Sequence, residues 1–202
     1  MPKTQFPPSI RSRPGYGEWQ LHPGAACLMV ADGAGAGAVI DLAATAPGLM
    51  TKAHVIYVTG RDGAGWADRI AALKPALFYT SPTYPAAVSR LRKVLADAKM
   101  GLQVYLAGTE GLIGQAQNEA MAAGIPYTAI QTEHRGSLVR RVQCVHCKGI
   151  TEEVRTDPFQ CSHCGLNLYV RDHYSRRIAA FQGVNIDAET PGLVPEAVER
   201  FT

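Results

Sequence analysis

The sequence predicts an α/β protein, with a Rossmann-like parallel five-stranded sheet followed by a small C-terminal ribbon that carries four cysteines. Short apolar runs alternate with longer amphipathic stretches between about residues 25 and 133, which is the pattern of βα units. A glycine-rich turn follows the first apolar run, and two C-x-x-C pairs follow the last one. A chain of 202 residues is long enough for one core with a small satellite.

Five strands and four helices are expected in the first part of the chain. The predicted strands are Ala26–Val30, His54–Val58, Ala76–Thr80, Gln103–Ala107 and Tyr127–Gln131. The predicted helices are Ala38–Ala46, Gly65–Leu73, Tyr84–Ala98 and Ile113–Ala123. The third helix is the clearest because its apolar residues recur at spacings of three and four, so that one face can cover a sheet. We expect the first strand to lie at the centre of the sheet, with any ligand at the carboxyl ends of the strands.

We divide the chain into four segments on these patterns. Residues 1–24 form an N-terminal extension, 25–137 a nucleotide-binding-type α/β domain, 138–190 the ribbon with the segment after it, and 191–202 a C-terminal tail. Between the cysteine pairs, the polar stretch Lys148–Gln160 is predicted to form a hairpin. The tail is predicted to be loose, with a short helix.

Composition and charge exclude several classes of protein. No apolar run approaches the about 20 residues needed to span a bilayer, and the proline-rich N-terminus lacks the apolar core of a signal peptide. A net charge of +3 is too small to demand a polyanionic partner such as nucleic acid. Cysteines in C-x-x-C pairs are typical of metal binding in a reducing compartment, so a cytoplasmic location is expected. The fifth cysteine, Cys27, lies in an apolar run and is expected to be a buried small hydrophobe.

Cys144, Cys147, Cys161 and Cys164 are predicted to hold one metal ion, since their spacing is C-x2-C-x13-C-x2-C. Four thiolates close a tetrahedral site and leave no position for water, which indicates a structural role and a zinc ribbon. A four-thiolate site can also hold iron, so a rubredoxin-like centre stays open. Gly149 and Gly165 are expected to let the backbone turn toward the sulfurs. His146 and His163 lie inside the pairs, but four cysteines already supply a full set of ligands.

The glycine-rich turn after the first strand has the position of a phosphate-binding loop. Gly33, Gly35 and Gly37 precede a predicted helix, and a helix N-terminus favours anions. Their spacing departs from G-x-G-x-x-G, so a tight strand-to-helix turn explains them equally well. Arg61 and Ser81 follow the second and third strands, where an NADP phosphate would lie.

Taken with Val104–Ile113 and Ile130–Glu133, this loop resembles the nucleotide-binding half of ferredoxin–NADP reductases, over about residues 25 to 133. The resemblance implies that Gly33, Gly35 and Gly37 face the cofactor pyrophosphate, and that Gly108 and Thr109 lie near the nicotinamide. Two features depart from that family. Ala107 stands where many of these reductases have a cysteine, and about two dozen residues before the first strand leave no room for a flavin-binding barrel.

Such a domain fused to four cysteines and then to the sequence R-D-H-Y-S-R-R-x-A-A-F-Q-G-V resembles the small subunit of bacterial dimethylamine monooxygenase, the DmmA-like family. The resemblance covers nearly the full chain. It implies a heteromeric, NADPH-dependent system that oxidises dimethylamine with dioxygen to methylamine and formaldehyde. This is an inference from family likeness, and no feature of the residues themselves identifies the substrate.

The interpretation that follows is an accessory subunit that acts in assembly, with NADPH binding or electron delivery as further candidate roles. Zinc is its expected structural metal, while flavin, iron–sulfur or haem groups belong to partner subunits. No catalytic residue is assigned to this chain, and no nucleic-acid or membrane partner is expected. A stand-alone iron electron carrier is the first alternative. A nucleic-acid-binding ribbon, favoured only by the basic residues near the cysteines, is the second.

Overall fold

A computed structural model describes residues 13–22, 26–46, 48–61 and 63–202. Its larger sheet is parallel and has the strand order β3-β2-β1-β4-β5, so the first strand is central as expected. The strands are β1 (Cys27–Asp32), β2 (Ala53–Val58), β3 (Leu77–Ser81), β4 (Gln103–Gly108) and β5 (Ile130–His134). This order places the topological switch point between β1 and β4, where ligands bind in open α/β sheets.

Four helices cover the two faces of this sheet. They are α1 (Ala36–Thr45), α2 (Ala64–Ala72), α3 (Tyr84–Ala96) and α4 (Glu110–Ala122). Successive residues of β1 point to opposite faces, so that Met29 joins the buried cluster under α1 and α2 while Leu28 and Val30 join the one under α3 and α4. Within the described ranges, no helix combines the length and apolar character needed to cross a membrane.

The predicted elements of this part are confirmed except at the fifth strand. We expected Tyr127–Gln131, but residues Tyr127–Ala129 form a turn of 3-10 helix and the strand is Ile130–His134. The strand continues through Glu133, which is buried and accepts a hydrogen bond from the Trp19 backbone N–H at 2.8 Å. The strand extends past its apolar residues to include the charged residue Glu133, so the apolar pattern did not predict where it ends.

The second sheet has the order β7-β6-β11-β10-β9, and a further two-stranded pair joins β12 to β8. The strands of the second sheet are β6 (Arg140–Cys144), β7 (Ile150–Val154), β9 (Phe159–Gln160), β10 (Asn167–Ser175) and β11 (Ala180–Asn185), and those of the separate pair are β8 (Thr156–Asp157) and β12 (Val198–Glu199). Strand β11 runs parallel to β6, and the other pairings are antiparallel. The core of this sheet includes Val142, Val170, Tyr174 and Phe181.

Two expectations for this part of the chain are wrong. Lys148–Gln160 is not a hairpin, because β7 pairs with β6 and β9 pairs with β10 at the opposite edge of the sheet. The tail contains no helix within the described residues. Instead β12 pairs with β8, and Phe201 is buried in the core of the second sheet. The sheet does contain two other hairpins, β6–β7 and β9–β10, and each of them is closed by one C-x-x-C pair.

Helix α4 joins the two sheets through a close approach at Gly114. A Cβ added there would overlap the Tyr174 hydroxyl and lie 2.8 Å from Cβ of Ala179. Nearby, the Asn118 side chain donates a hydrogen bond to the Arg177 carbonyl at 3.1 Å. The absence of a side chain at Gly114 therefore lets the helix contact the second sheet directly.

Arg140 ties the second sheet together from within. Its guanidinium lies 3.9 Å from the ring centroid of Phe181 and 4.3 Å from that of Phe201, and it donates to Asp172 at 2.9 Å. Asp172 also accepts a hydrogen bond from Arg13. Desolvation acts to raise the pKa of the Asp172 carboxyl, but the two arginines outweigh it and lower that pKa. The N-terminal extension, the tail and β10 thus meet around one cation.

Replacing Gly114 by Ala is expected to destabilise the protein by about 1 to 3 kcal/mol, because the new methyl group overpacks the contact between α4 and the second sheet. Gly111→Ala is the matched control, since it lies in the same helix and a Cβ there meets nothing within 4 Å. The control should stabilise by roughly 0.4 to 1 kcal/mol. Urea unfolding of both variants measures the difference, and equal effects of the two substitutions would contradict the close contact.

Candidate metal centre and the crevice beside it

The two cysteine pairs form knuckles with the same hydrogen-bond pattern. In the first, Lys148 N–H donates to the Cys144 carbonyl at 3.0 Å, and Cys144 N–H donates to the Gly149 carbonyl at 2.9 Å. In the second, the corresponding bonds from Gly165 to Cys161 and from Cys161 to Leu166 are 3.0 and 2.9 Å. The repeated C-x-x-C sequence therefore folds twice into one local structure.

The residue after the second cysteine of each knuckle adopts a left-handed backbone conformation. Gly165 does so at a φ of 73°, as its sequence position predicted, but in the first knuckle Lys148 takes this conformation at a φ of 64°. Gly149 also turns its backbone toward the sulfurs as expected, since its N–H donates to Sγ of Cys147 at 3.4 Å, and it has a packing role as well. A Cβ at Gly149 would overlap the ring of His163, so this glycine lets the second knuckle pack against the first.

The four cysteine sulfurs converge, with all of them within 4.8 Å of one another. Cys144 and Cys164 are 3.9 Å apart, and Cys147 and Cys161 are 3.7 Å apart. Tetrahedral coordination with metal–sulfur bonds of about 2.3 Å requires sulfurs about 3.8 Å apart, so the spacing fits a single ion. The four cysteines can hold a metal ion.

Buried and exposed sulfurs alternate in this cluster. Cys144 and Cys161 lie in the interior, while Cys147 and Cys164 lie at the surface. Desolvation raises the pKa of Cys161, but backbone hydrogen bonds from Cys164 and His163 outweigh it and lower the pKa to about 6. The Leu166 backbone lowers the pKa of Cys164, whereas desolvation and the three neighbouring sulfurs raise it to about 12. With a pKa of about 12, Cys164 would be a thiol at neutral pH, so a bound cation would be needed to make it a thiolate ligand.

The two histidines of the knuckles stand outside the sulfur cluster. His146 and His163 are both exposed, and the Nε2 atom of His163 lies 2.9 Å from the Ile150 carbonyl oxygen. Elsewhere in the described chain, no further group of three or more His, Cys, Asp or Glu side chains is close enough to hold a metal ion.

A crevice of about 640 Å³ lies at the carboxyl ends of the parallel strands. One wall comes from the loops after β1, β2, β3 and β4, and the opposite wall comes from β6 and β7 of the second sheet. Arg140, Arg141, Glu152 and Glu153 are the charged residues of that opposite wall. The crevice therefore lies at the predicted position for a ligand, and the second sheet forms its far side.

Two of the five predicted cofactor residues, Gly33 and Thr109, line this crevice. Gly33 has a φ of 45° in the turn that leads into α1. The other three glycines have packing contacts. A Cβ on Gly35 would overlap the Ala107 carbonyl oxygen, one on Gly37 would lie 2.7 Å from Nη1 of Arg135, and one on Gly108 would overlap the Asp32 carboxylate. Whether these five residues bind a cofactor stays a prediction.

Asp32, for which the sequence predicted no role, lies at the switch point of the sheet. Its carboxylate accepts hydrogen bonds from the Thr109 backbone N–H at 2.8 Å and from the Thr109 hydroxyl at 2.7 Å. Burial raises the pKa of Asp32, although both bonds from Thr109 act to lower it. The Asp-Gly step that ends a fully apolar strand was the sequence signal for this residue.

The residues expected to recognise an NADP phosphate are not brought together. Arg61 is exposed at the rim of the crevice, and among the described residues no acidic side chain pairs with it. Ser81 is buried, and its hydroxyl donates to the Thr83 carbonyl at 3.1 Å. Cys27 is buried as expected, and desolvation raises its pKa to about 11.

Comparison with known proteins places the chain in a family. The family model described as dimethylamine monooxygenase subunit DmmA-like, N-terminal domain, matches residues 8–130, and the corresponding C-terminal domain matches residues 141–184. A curated relative from Ectopseudomonas mendocina (strain ymp), named heme-dependent oxidative N-demethylase delta subunit, is 34% identical over 114 residues. That match covers 54% of this chain and 65% of the relative, which is less than two thirds of the relative's length.

Among solved structures, phthalate dioxygenase reductase matches with a TM-score of 0.48 and 16% identity, over 68% of this chain and 46% of its own. That reductase is described as a modular structure for electron transfer from pyridine nucleotides to a 2Fe-2S group. The family models match both sheets, and the first of them alone covers more than half of the residues. This chain therefore belongs to the DmmA-like family of dimethylamine monooxygenase subunits.

Proposed function

We propose that this chain is an accessory subunit of a multicomponent, NADPH-dependent amine monooxygenase that converts dimethylamine and dioxygen to methylamine and formaldehyde. Its role is in assembly, and the oxygen chemistry belongs to partner subunits. The observation that carries the proposal is the pair of family matches over residues 8–130 and 141–184. The relative's name, which describes a subunit of an oxidative N-demethylase, supports the same class of reaction.

The geometry of the cysteine cluster supports a structural role. Four sulfurs already fill the tetrahedral positions, so that no position is open for a substrate or an activated water. We propose that Cys144, Cys147, Cys161 and Cys164 hold one zinc ion. Zinc has no redox chemistry and would crosslink the two knuckles. Iron in the same site would instead make the chain an electron carrier, and metal analysis separates the two.

Metal analysis of protein purified from metal-supplemented cells is expected to give about one zinc per chain and no visible absorbance. Cys144→Ser should lose the zinc, because one thiolate of a closed set is removed. Cys27→Ala is the control, since Cys27 is buried in the first sheet and should leave the zinc content unchanged. Stoichiometric iron with thiolate charge-transfer bands would overturn the zinc proposal and favour electron delivery by this chain.

Assembly is expected to depend on the same cluster. Co-expression with the other subunits of the proposed monooxygenase should give a complex with the wild-type protein, and a Cys147→Ser/Cys164→Ser double variant should lose co-purification. The variant lacks two of the four thiolate ligands, so a metal ion could no longer hold the two knuckles together. Cys27→Ala should assemble normally. A double variant that still co-purifies in equal amount would remove the structural rationale for the ribbon.

We further propose that the crevice at the carboxyl ends admits NADPH weakly. Gly33 and Thr109 line it, and its location is that of dinucleotide sites in open α/β sheets. The carboxylate of Asp32 lines the same space and, when ionised, repels a pyrophosphate. The exposed cation Arg61 at the rim acts in the opposite direction.

Asp32→Asn is expected to bind NADPH about tenfold more tightly than wild type, because it removes the repulsion but keeps an acceptor for Thr109. Asp41→Asn makes the same change in charge on α1, outside the crevice, where Asp41 pairs with Arg135 at 2.7 Å. It should leave the affinity unchanged. Isothermal titration calorimetry of the three proteins measures the effect. Absence of NADPH binding by all three at millimolar nucleotide would reject a nucleotide role for these residues.

A further inference from the structure

The amino ends of β1, β2 and β3 carry a surface that the proposed function leaves without a role. We name it the Met100 face, and it lies at the opposite end of the sheet from the crevice. An apolar cavity of about 490 Å³ opens there between the second half of α3 and the starts of the three strands. The residues that define the face are Lys52, Leu77, Arg90, Lys93, Lys99 and Met100.

The centre of this face is apolar and open to solvent. Met100 is 98% exposed and Leu77 is 44% exposed, while Leu28, Val94 and Leu102 line the cavity below them. A second groove, of about 800 Å³, adjoins this cavity, and both are lined by Ala98, Lys99, Met100 and Leu102. Exposed apolar side chains beside a preformed cavity and rimmed by polar groups are typical of interaction sites.

The rim of the Met100 face is predominantly positive. Within the described part of the chain, four cations line the cavity against a single acid, Asp97. Lys93 and Lys99 have no acidic partner among the described residues, and the Arg90 guanidinium lies 5.9 Å from the ring centroid of Tyr79. Desolvation and the nearby charge of Arg90 lower the pKa of His54, which also lines the cavity. The net charge of this rim therefore attracts an acidic partner.

Other occupants of the face fit this charge poorly. A second copy of the chain that pairs symmetrically through the same face would bring a matching set of cations against it. The twelve residues before Arg13 contain Lys3 and Arg11 and no acidic residue, so that segment would also bring like charges. Both would add repulsion, whereas a segment with Asp or Glu residues around an apolar side chain would match the cavity and its rim.

We propose that the Met100 face is the docking surface for a partner subunit, which inserts an apolar side chain beside Met100 and places acidic residues against Lys93 and Lys99. This inference rests on the proposed function, since it needs a heteromeric complex. Docking at this end of the sheet leaves the crevice accessible, because the crevice lies at the carboxyl ends of the strands, and none of the four clustered cysteines lines the cavity of the Met100 face.

The test uses the full chain co-expressed with the other subunits of the proposed monooxygenase, and compares wild type with Lys93→Glu/Lys99→Glu and with Met100→Ser. Arg155→Glu/Arg171→Glu is the matched control, because it reverses two exposed charges away from the Met100 face, one between β7 and β8 and one in β10. We expect the lysine variant to bind the purified partner at least about tenfold more weakly, and the wild-type affinity to fall more steeply with added salt than that of the lysine variant. Met100→Ser should weaken binding at every salt concentration.

Each outcome has a distinct meaning. Loss of affinity in the lysine variant, with an unchanged control and an unchanged unfolding temperature, supports docking at the Met100 face. A wild-type complex that tolerates both variants of the face overturns this inference but leaves the proposed function intact. A wild-type chain that does not bind the partner subunits at all overturns both.

Discussion

The convergence of four cysteine sulfurs is the constraint on which the second sheet depends. Its knuckles join β6 to β7 and β9 to β10, so every strand of the sheet except β11 ends at the sulfur cluster. The apolar core beside the sulfurs is small, and among the described residues Leu168 is its one fully buried aliphatic side chain. A core of this size needs a crosslink, and sulfurs within 4.8 Å of one another would repel as thiolates without a cation between them. Metal binding and folding of the two knuckles are thus expected to be one process, while Val142, Val170 and Phe181 belong to a separate and larger core of the same sheet.

Strand β6 connects the cysteine cluster to the crevice. Arg140 and Arg141 stand at one end of that strand and Cys144 at the other, so the strand that carries the crevice wall also supplies a sulfur. Arg141 is fixed by an ion pair with Glu152 at 2.7 Å, and Glu152 belongs to the strand across the first knuckle. Helix α4 adds a second connection at Gly114, and its first turn lies in the crevice. A change in the knuckles would therefore alter the wall of the crevice without contacting it.

Patterns within short windows were predictable, and pairings between distant segments were not. Apolar periodicity located four of the five parallel strands and all four helices, because each element buries one face whatever its neighbours are. The cysteine spacing located the cluster for a similar reason, since two knuckles suffice to define it. The hairpin expected at Lys148–Gln160 was wrong because β11, which is distant in sequence, pairs with β6 and fixes the arrangement of the sheet. Phe201 was assigned to a loose tail, but it is buried because Arg140 offers its guanidinium face at 4.3 Å.

The glycine-rich turn after β1 shows that such a motif predicts the position of a tight strand-to-helix turn better than it predicts nucleotide binding. At the switch point, the chain leaving β1 must cross the end of β4, and Gly35 allows this because a Cβ would overlap the Ala107 carbonyl oxygen. Gly108 is required for the same crossing, with Asp32 on the other side. Packing between two adjacent strand ends therefore accounts for Gly35 and Gly108 without any ligand. What distinguishes a phosphate site is the charge at the crossing, and here a half-buried carboxylate bonded twice to Thr109 occupies it. Packing therefore explains these two glycines, while the proposed binding of NADPH depends on the charge of Asp32.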